Sequence, residues 1–172
     1  MPSPSILSYG CSTGEEALSL ADYLPGATID AVDINPRSIA LARAAGAREG
    51  KGHIRFICAA EPPAAPRVYD AIFCLSVLRH GRLDAEEPHD CSAILPFSRF
   101  SDTVAALDRC LKPGGVLVLW GCNFRFDDTA TAAHYRMRTA AGRKPQGGVF
   151  YGPDNQRLAI TTYDRFVFEK MH

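Results

Sequence analysis

The stretch SILSYGCSTGEEALSLADYLPG, residues 5–26, decides the fold. Its first five residues form a short, mostly apolar run closed by Gly10, the pattern of a buried strand. Ser12 and Thr13 stand three residues before Glu15 and Glu16, the spacing of a capping box. Ala17, Leu18, Leu20, Ala21 and Leu24 then recur at helical intervals until Pro25-Gly26 ends the helix. A strand, a glycine loop and a helix make one half-turn of a wound α/β sheet if the following segments repeat the pattern.

They do repeat it. Residues 28–32 (TIDAV) read as a second strand with Asp33 at its carboxyl tip. Asn35-Pro36 fits an N-cap followed by proline at the first helical position, and the helix runs to about Gly46. Residues 53–58 read as a third strand and 69–78 as a fourth, joined by the Pro/Ala-rich loop AAEPPAAPRV. Residues 81–96 look irregular. Residues 97–111 form a helix with Phe100, Val104, Leu107 and Leu111 on one face. KPGG, 112–115, is a turn, and VLVLW, 116–120, is the unbroken apolar run of a buried parallel strand. Further on, Asp127 or Asp128 caps a helix through TATAAHYRMR, and 149–152 with 162–170 form a closing pair of strands. The expected fold is α/β, a doubly wound, mostly parallel sheet with an antiparallel C-terminal strand, in one domain over residues 1–172.

Composition narrows the function. Lys+Arg and Asp+Glu number 19 each in 172 residues, so the basic footprint of a nucleic-acid binder is missing, as is a polybasic run for an anionic membrane. MPSPSILSYG lacks the charged and apolar regions of a signal peptide, and no run approaches the ~18 apolar residues of a membrane span. Cys11, Cys58, Cys74, Cys91, Cys110 and Cys122 form no C-x-x-C pair. They read as reduced thiols of a cytoplasmic protein, with Cys58, Cys74 and Cys110 as small core residues. His89-Asp90-Cys91 has metal-ligand residue types, but consecutive positions rarely converge on one ion, so no metal is expected.

In a wound sheet the ligand sits at the carboxyl ends of the strands, where strand order reverses. The loop from Gly10 to Gly14 permits close backbone approach, and Asp33, about 20 residues on, is placed to grip ribose hydroxyls. A dinucleotide fingerprint would put glycines at 10, 12 and 15. This chain has Gly10, Ser12 and Glu15. Glu15 and Glu16 at a helix start would repel a pyrophosphate. They suit a ligand carrying a sulfonium and an ammonium, and they also complement the helix dipole.

SILSYGCSTGEEALSLA resembles the first motif of class I S-adenosylmethionine (SAM)-dependent methyltransferases. AVDINPRSIALARA resembles their second motif, YDAIFCLSVLRH the fourth-strand motif and LDRCLKPGGVLVLWG the helix–turn–strand that follows, in the family's order. GCSTGEEALSLA with DINPR is most similar to the chemotaxis receptor glutamate methyltransferases. The sheet begins near residue 5, so their N-terminal domain is not expected; no segment reads as their inserted docking domain, and receptor methylation is not expected. The resemblance implies roles by position. Backbone at Gly10, Ser12 and Gly14 approaches the methionine part of SAM. Glu15 or Glu16 receives its ammonium, Asp33 its ribose hydroxyls, and Ile34 packs on adenine. The acid expected after the third strand is moved to Glu61, and Ser76 stands where the chemotaxis group has asparagine.

Methyl transfer is an in-line displacement that works largely by holding two reactants together. A base is needed only when the nucleophile must lose a proton. His80, after the fourth strand, is the candidate base or substrate contact, against the ordinary reading of an exposed histidine. Asn123 and Arg125 are candidate pocket residues. The acceptor is expected to be a small molecule or a protein side chain. The alternatives are a non-catalytic SAM-binding domain and, disfavoured by Ser12, Glu15 and Glu16, an NAD-type oxidoreductase.

Overall fold

The computed structural model describes residues 3–64, 66, 68–138, 142 and 144–172. The elements are β1 (Ser5–Tyr9), α1 (Glu15–Tyr23), β2 (Thr28–Asp33), α2 (Pro36–Arg48), β3 (Ile54–Cys58), β4 (Tyr69–Leu75), α3 (Gly81–Glu86), α4 (Phe97–Cys110), β5 (Leu111–Trp120), β6 (Tyr135–Met137), β7 (Gln146–Gly147), β8 (Thr162–Tyr163) and β9 (Val167–Lys170). A seven-stranded sheet runs β3-β2-β1-β4-β5-β9-β6, and β7 pairs with β8 apart from it. The pairings from β3 through β5 are parallel; β9 lies antiparallel to β5 and β6 antiparallel to β9. The wound α/β sheet with an antiparallel C-terminal strand is the fold read from the sequence. Strand order reverses between β1 and β4, the switch point at which such sheets hold ligands.

Alternation along the strands divides the core between the two faces. Ile6, Ile29, Ala31, Ile54 and Phe56 pack with Ala17, Leu18, Ala21, Ile39 and Ala42 of α1 and α2. Leu7, Tyr9, Val32 and Ile72 pack with Phe100, Val104 and Leu107 of α4. Between β3 and β4 the described residues contain no helix. Over that gap, Asp30 of β2 accepts a bidentate pair from Arg55 of β3 at 2.8 and 2.6 Å, and Tyr69 donates its hydroxyl to the same carboxylate at 2.6 Å.

Local chemistry departs from the sequence reading in several places. The capping box does not form. Gly14 is the N-cap of α1, in the left-handed region at φ 93°, with no side-chain cap bond. The α2 cap does form: Asn35 Oδ1 accepts from Arg37 N–H at 2.9 Å, with Pro36 next. The fourth strand ends at Leu75, because Ser76 turns left-handed at φ 60°. The irregular stretch after His80 contains α3, and the KPGG residues fall within β5. The helix expected through TATAAHYRMR is replaced by 3-10 turns at Phe126–Asp128 and Ala130–His134 and by β6. Tyr135 donates to Asp108 Oδ1 at 2.8 Å, and the edge of β9 supplies the backbone partners a helix would have had. Of 149–152, only Tyr151 makes bridge contacts, while 162–170 divides into β8 and β9. All six cysteines are free, and Cys58 is exposed, not in the core, because it closes edge strand β3. Among the described residues, no helix is long and apolar enough to cross a membrane.

Candidate functional site

A cleft of about 600 Å³ opens at the carboxyl ends of β1, β2 and β3, with α4 as its opposite wall. Four of the residues singled out in the sequence line it: Gly10, Asp33, Ile34 and Glu61. Gly10 turns the chain out of β1 at φ 78° and donates its N–H to Val32 O at 2.7 Å. A Cβ there would lie 2.2 Å from Val77 Cγ2, so only glycine lets the loop pass the end of β4. Asp33 shapes the adjoining turn. Its Oδ2 accepts Ser12 N–H and its Oδ1 accepts Asn35 N–H, both at 2.8 Å. Each carboxylate oxygen accepts more than one bond, so the group retains capacity for a ligand's hydroxyls. Ile34 follows with 67% of its surface exposed, an apolar side chain held in the open beside that carboxylate.

The other sequence candidates stand outside the lining. Ser12 touches the site through its backbone bond to Asp33. Gly14 faces inward, where a Cβ would meet Ala42 Cβ at 2.9 Å and Phe56 at 3.1 Å. Glu15 is exposed on α1, whereas Glu16 is half-buried and accepts the Ser8 hydroxyl at 2.6 Å. Burial raises the Glu16 pKa, and the Ser8 bond opposes that shift. Ser76 donates its N–H to Trp120 O at 2.6 Å. His80 caps α3: its Nδ1 accepts Arg82 N–H at 3.2 Å, and its own N–H donates to Asn123 Oδ1 at 2.8 Å. Asn123, 1% exposed, also donates to Asp84 Oδ1 and Val149 O, so it ties the loops after β4 and β5 together. Arg125 forms a bidentate pair with Asp128. His89 and Asp90 bond to Gln156.

The α4 wall escaped the sequence reading. Arg99, Asp102, Thr103, Ala106 and Arg109 all line the cleft, and their three- and four-residue spacing marks one helical face. Tyr9 lines it from the sheet and donates its hydroxyl to Ala60 O at 2.7 Å. Burial first, then Cys74 and Glu61, push its pKa up to about 12, so at neutral pH it is a donor and not a base. Three acids, Asp33, Glu61 and Asp102, face two arginines, Arg99 and Arg109, around the cleft.

The chain belongs to the methyltransferase domain family, whose profile matches residues 7–117. That span runs from within β1 to within β5, and so takes in every sequence-predicted cofactor residue. An uncharacterized protein of Synechococcus sp. is 32% identical over 117 residues, covering 66% of this chain and 24% of its own length. Among solved structures, the [4+2]-cyclase SpnF superposes with a TM-score of 0.52 at 23% identity, covering 68% of this chain and 38% of its own. Phosphoethanolamine N-methyltransferase 2 of Haemonchus contortus, solved with SAM, gives 0.51 at 21% identity, with 68% and 24% covered. The chain therefore spans well under half the length of each, and at these identities the solved structures speak for the Rossmann-like fold alone.

Proposed function

We propose that this chain binds SAM in the cleft and transfers its methyl group to a small molecule or a protein side chain. One observation carries the reading. Asp33 offers unused acceptor capacity beside the exposed Ile34, at the switch point of a methyltransferase-family sheet. In this reading Asp33 holds the ribose hydroxyls, Ile34 covers adenine and Glu61 accepts from the adenine amine. Backbone at Gly10, Ser12 and Gly14 sets the loop against the methionine part, with Glu15 near its ammonium and Ser76 shaping the far wall. When bound, SAM supplies an electrophilic methyl group. The chain's own contribution is to orient it and exclude water. His80, engaged as a helix cap, is kept as a surface contact for the acceptor and not as the base.

The likeness of GCSTGEE to the chemotaxis group bears on the donor side only, since acceptor choice lives in other loops. We also take residues 1–172 as one unit and the setting as cytoplasmic, which suits six unpaired thiols. A SAM-binding domain that transfers no methyl group is the second reading, favoured by SpnF, a [4+2]-cyclase with this fold, since the sheet alone does not entail methyl transfer. Calorimetry with SAM, S-adenosylhomocysteine (SAH) and NAD tests the first step. We expect the two sulfur ligands to bind in the micromolar range and NAD worse. NAD binding as tightly as SAM sinks the assignment. Turnover of methyl-labelled SAM separates enzyme from binding domain.

A further inference from the structure

A second cavity, of about 520 Å³, lies beyond the carboxyl end of β4. Its walls are Arg79 after β4, Asp84 and Glu87 at α3, and the segments 148–149 and 157–161. One short piece of backbone belongs to both sites: Val77 lines the cofactor cleft, and Arg79, two residues on, lines this cavity.

Two guanidinium groups set its chemistry. Arg79 donates through Nε and Nη2 to Asp84 at 2.7 and 3.0 Å, and the buried Asn123 steadies that carboxylate. Arg157 donates through Nη1 to Glu87 Oε2 at 2.8 Å and to Glu87 O at 3.3 Å. A guanidinium carries five N–H donors, so each arginine keeps several beyond these bonds, already oriented by its carboxylate. Val149, Leu158, Ala159 and Ile160 give it an aliphatic wall, with Thr161 beside them. A carboxylate matches the planar fork of a guanidinium, and the aliphatic wall matches a hydrocarbon body. Asp84 and Glu87 balance the two positive charges, so a bare anion without an apolar body gains little here.

We propose that this cavity binds a small organic carboxylate with an apolar body, anchored by Arg79 and Arg157. Because Arg79 stands two residues from Val77 of the cleft, we assign this cavity as the acceptor pocket, a role that rests on the methyl-transfer reading above. The carboxylate is the anchor, not the methylated group.

The test is an NMR titration of 3-phenylpropionate and its neutral amide, 3-phenylpropionamide, with SAH affinity measured by calorimetry on the same samples. The acid should bind at least about fivefold tighter than the amide and shift resonances in 148–149 and 157–161. Arg157→Gln should reduce the acid to the amide's affinity and leave SAH binding unchanged. Ile160→Asp, at a position 37% exposed, should weaken the acid too, which keeps the test open if the arginine variant fails to fold. Equal binding of acid and amide, no binding of the acid, or an unaffected Arg157→Gln overturns the proposal. So does inorganic phosphate displacing the acid at equal concentration. Failure of SAH to bind, with the acid still bound here, strikes at the methyl-transfer reading and not at this site.

Discussion

On one face of β2 and β3, Ile29, Ala31, Ile54 and Phe56 lie under α1 and α2. On the other, Asp30 and Arg55 of the same two strands form an ion pair whose arginine is 68% exposed. The difference follows from the connections. The links β1–β2 and β2–β3 carry helices, so every second side chain must be apolar to fill the space beneath them. The described part of the β3–β4 link carries none, and polar side chains can stand there without being stranded from water. The cleft belongs to this open face, where Tyr9 and Val32 meet the wall of α4. This face is packed too, under α4, where Leu7, Ile72, Phe100, Val104 and Leu107 are fully buried, and the ligand space lies beside that packing.

The sharpest break in that contrast comes from Gly14 on the packed side. Gly14→Ala forces an L side chain into φ 93° and drives its Cβ to 2.9 Å from Ala42. Left-handed strain and overpacking together should cost about 2–4 kcal/mol of stability. Urea unfolding measures it; a loss below 1 kcal/mol would show that the helices on this face yield easily.

On the open side the matching change is Asp33→Ala. It should weaken SAM binding by about 1.5–3 kcal/mol, because charge-assisted hydrogen bonds to the ribose are lost. The Ser12 and Asn35 N–H groups it frees lie at the exposed turn and can turn to water, so folding should survive. An unchanged dissociation constant would mean that the acid only shapes the loop.

These two positions also show what a sequence can carry. Asp33 and Gly10 were legible because a strand tip and a glycine after a strand have fixed meanings in a wound sheet. Strands β1, β4 and β5 were legible because their apolar runs answer to burial on both faces, and β2 and β3 because apolar residues recur at every second position. The cap of α1 was misread: Ser12 and Thr13 have the spacing of a cap, but Gly14 takes the N-cap position, and Ser12 at φ 48° gives its N–H to Asp33, 21 residues away. The α4 wall of the cleft was missed for a similar reason. Arg99, Asp102 and Arg109 look like an ordinary solvated helix face until the sheet topology sets them opposite Asp33 and Glu61. The C-terminal segment misled most, because its polar, alanine-containing run suits a helix locally while β9 offers an unpaired edge to Tyr135–Met137.

A smaller effect separates the buried from the exposed part of the open-face cluster. Tyr69→Phe removes a buried hydroxyl from Asp30 and should cost about 1 kcal/mol. Arg55→Ala removes an exposed partner of the same carboxylate and should cost at most about 0.5 kcal/mol, less in high salt. Chemical denaturation of both variants in low and high salt ranks them. The reverse order would make the ion pair, not the phenol, the prop of the helix-free face.

The smallest effect expected is one of pH, and it lies under α1. Ser8, fully buried on β1, donates to Glu16, and burial raises that carboxyl's pKa more than the Ser8 bond lowers it. A raised acid pKa means that the folded chain binds the proton more tightly than the unfolded chain. The group's contribution to stability therefore falls as pH rises from the unfolded pKa through the folded one, and the deficit persists at neutral pH. Glu16→Gln keeps the shape and an acceptor for Ser8 while removing the charge. The variant should be more stable than the parent at neutral pH and should show no gain below about pH 4, where the glutamate is protonated in both states. Thermal unfolding at the two pH values decides it: a loss at neutral pH that disappears below about pH 4 would show that the Ser8 bond outweighs burial, and an equal change at both would show that the charge has no net effect. SAH affinity should be unchanged, because Glu16 does not line the cleft. A fall in affinity would instead make Glu16 the group that receives the ligand's ammonium, and would carry the binding site from the open face through to the packed one.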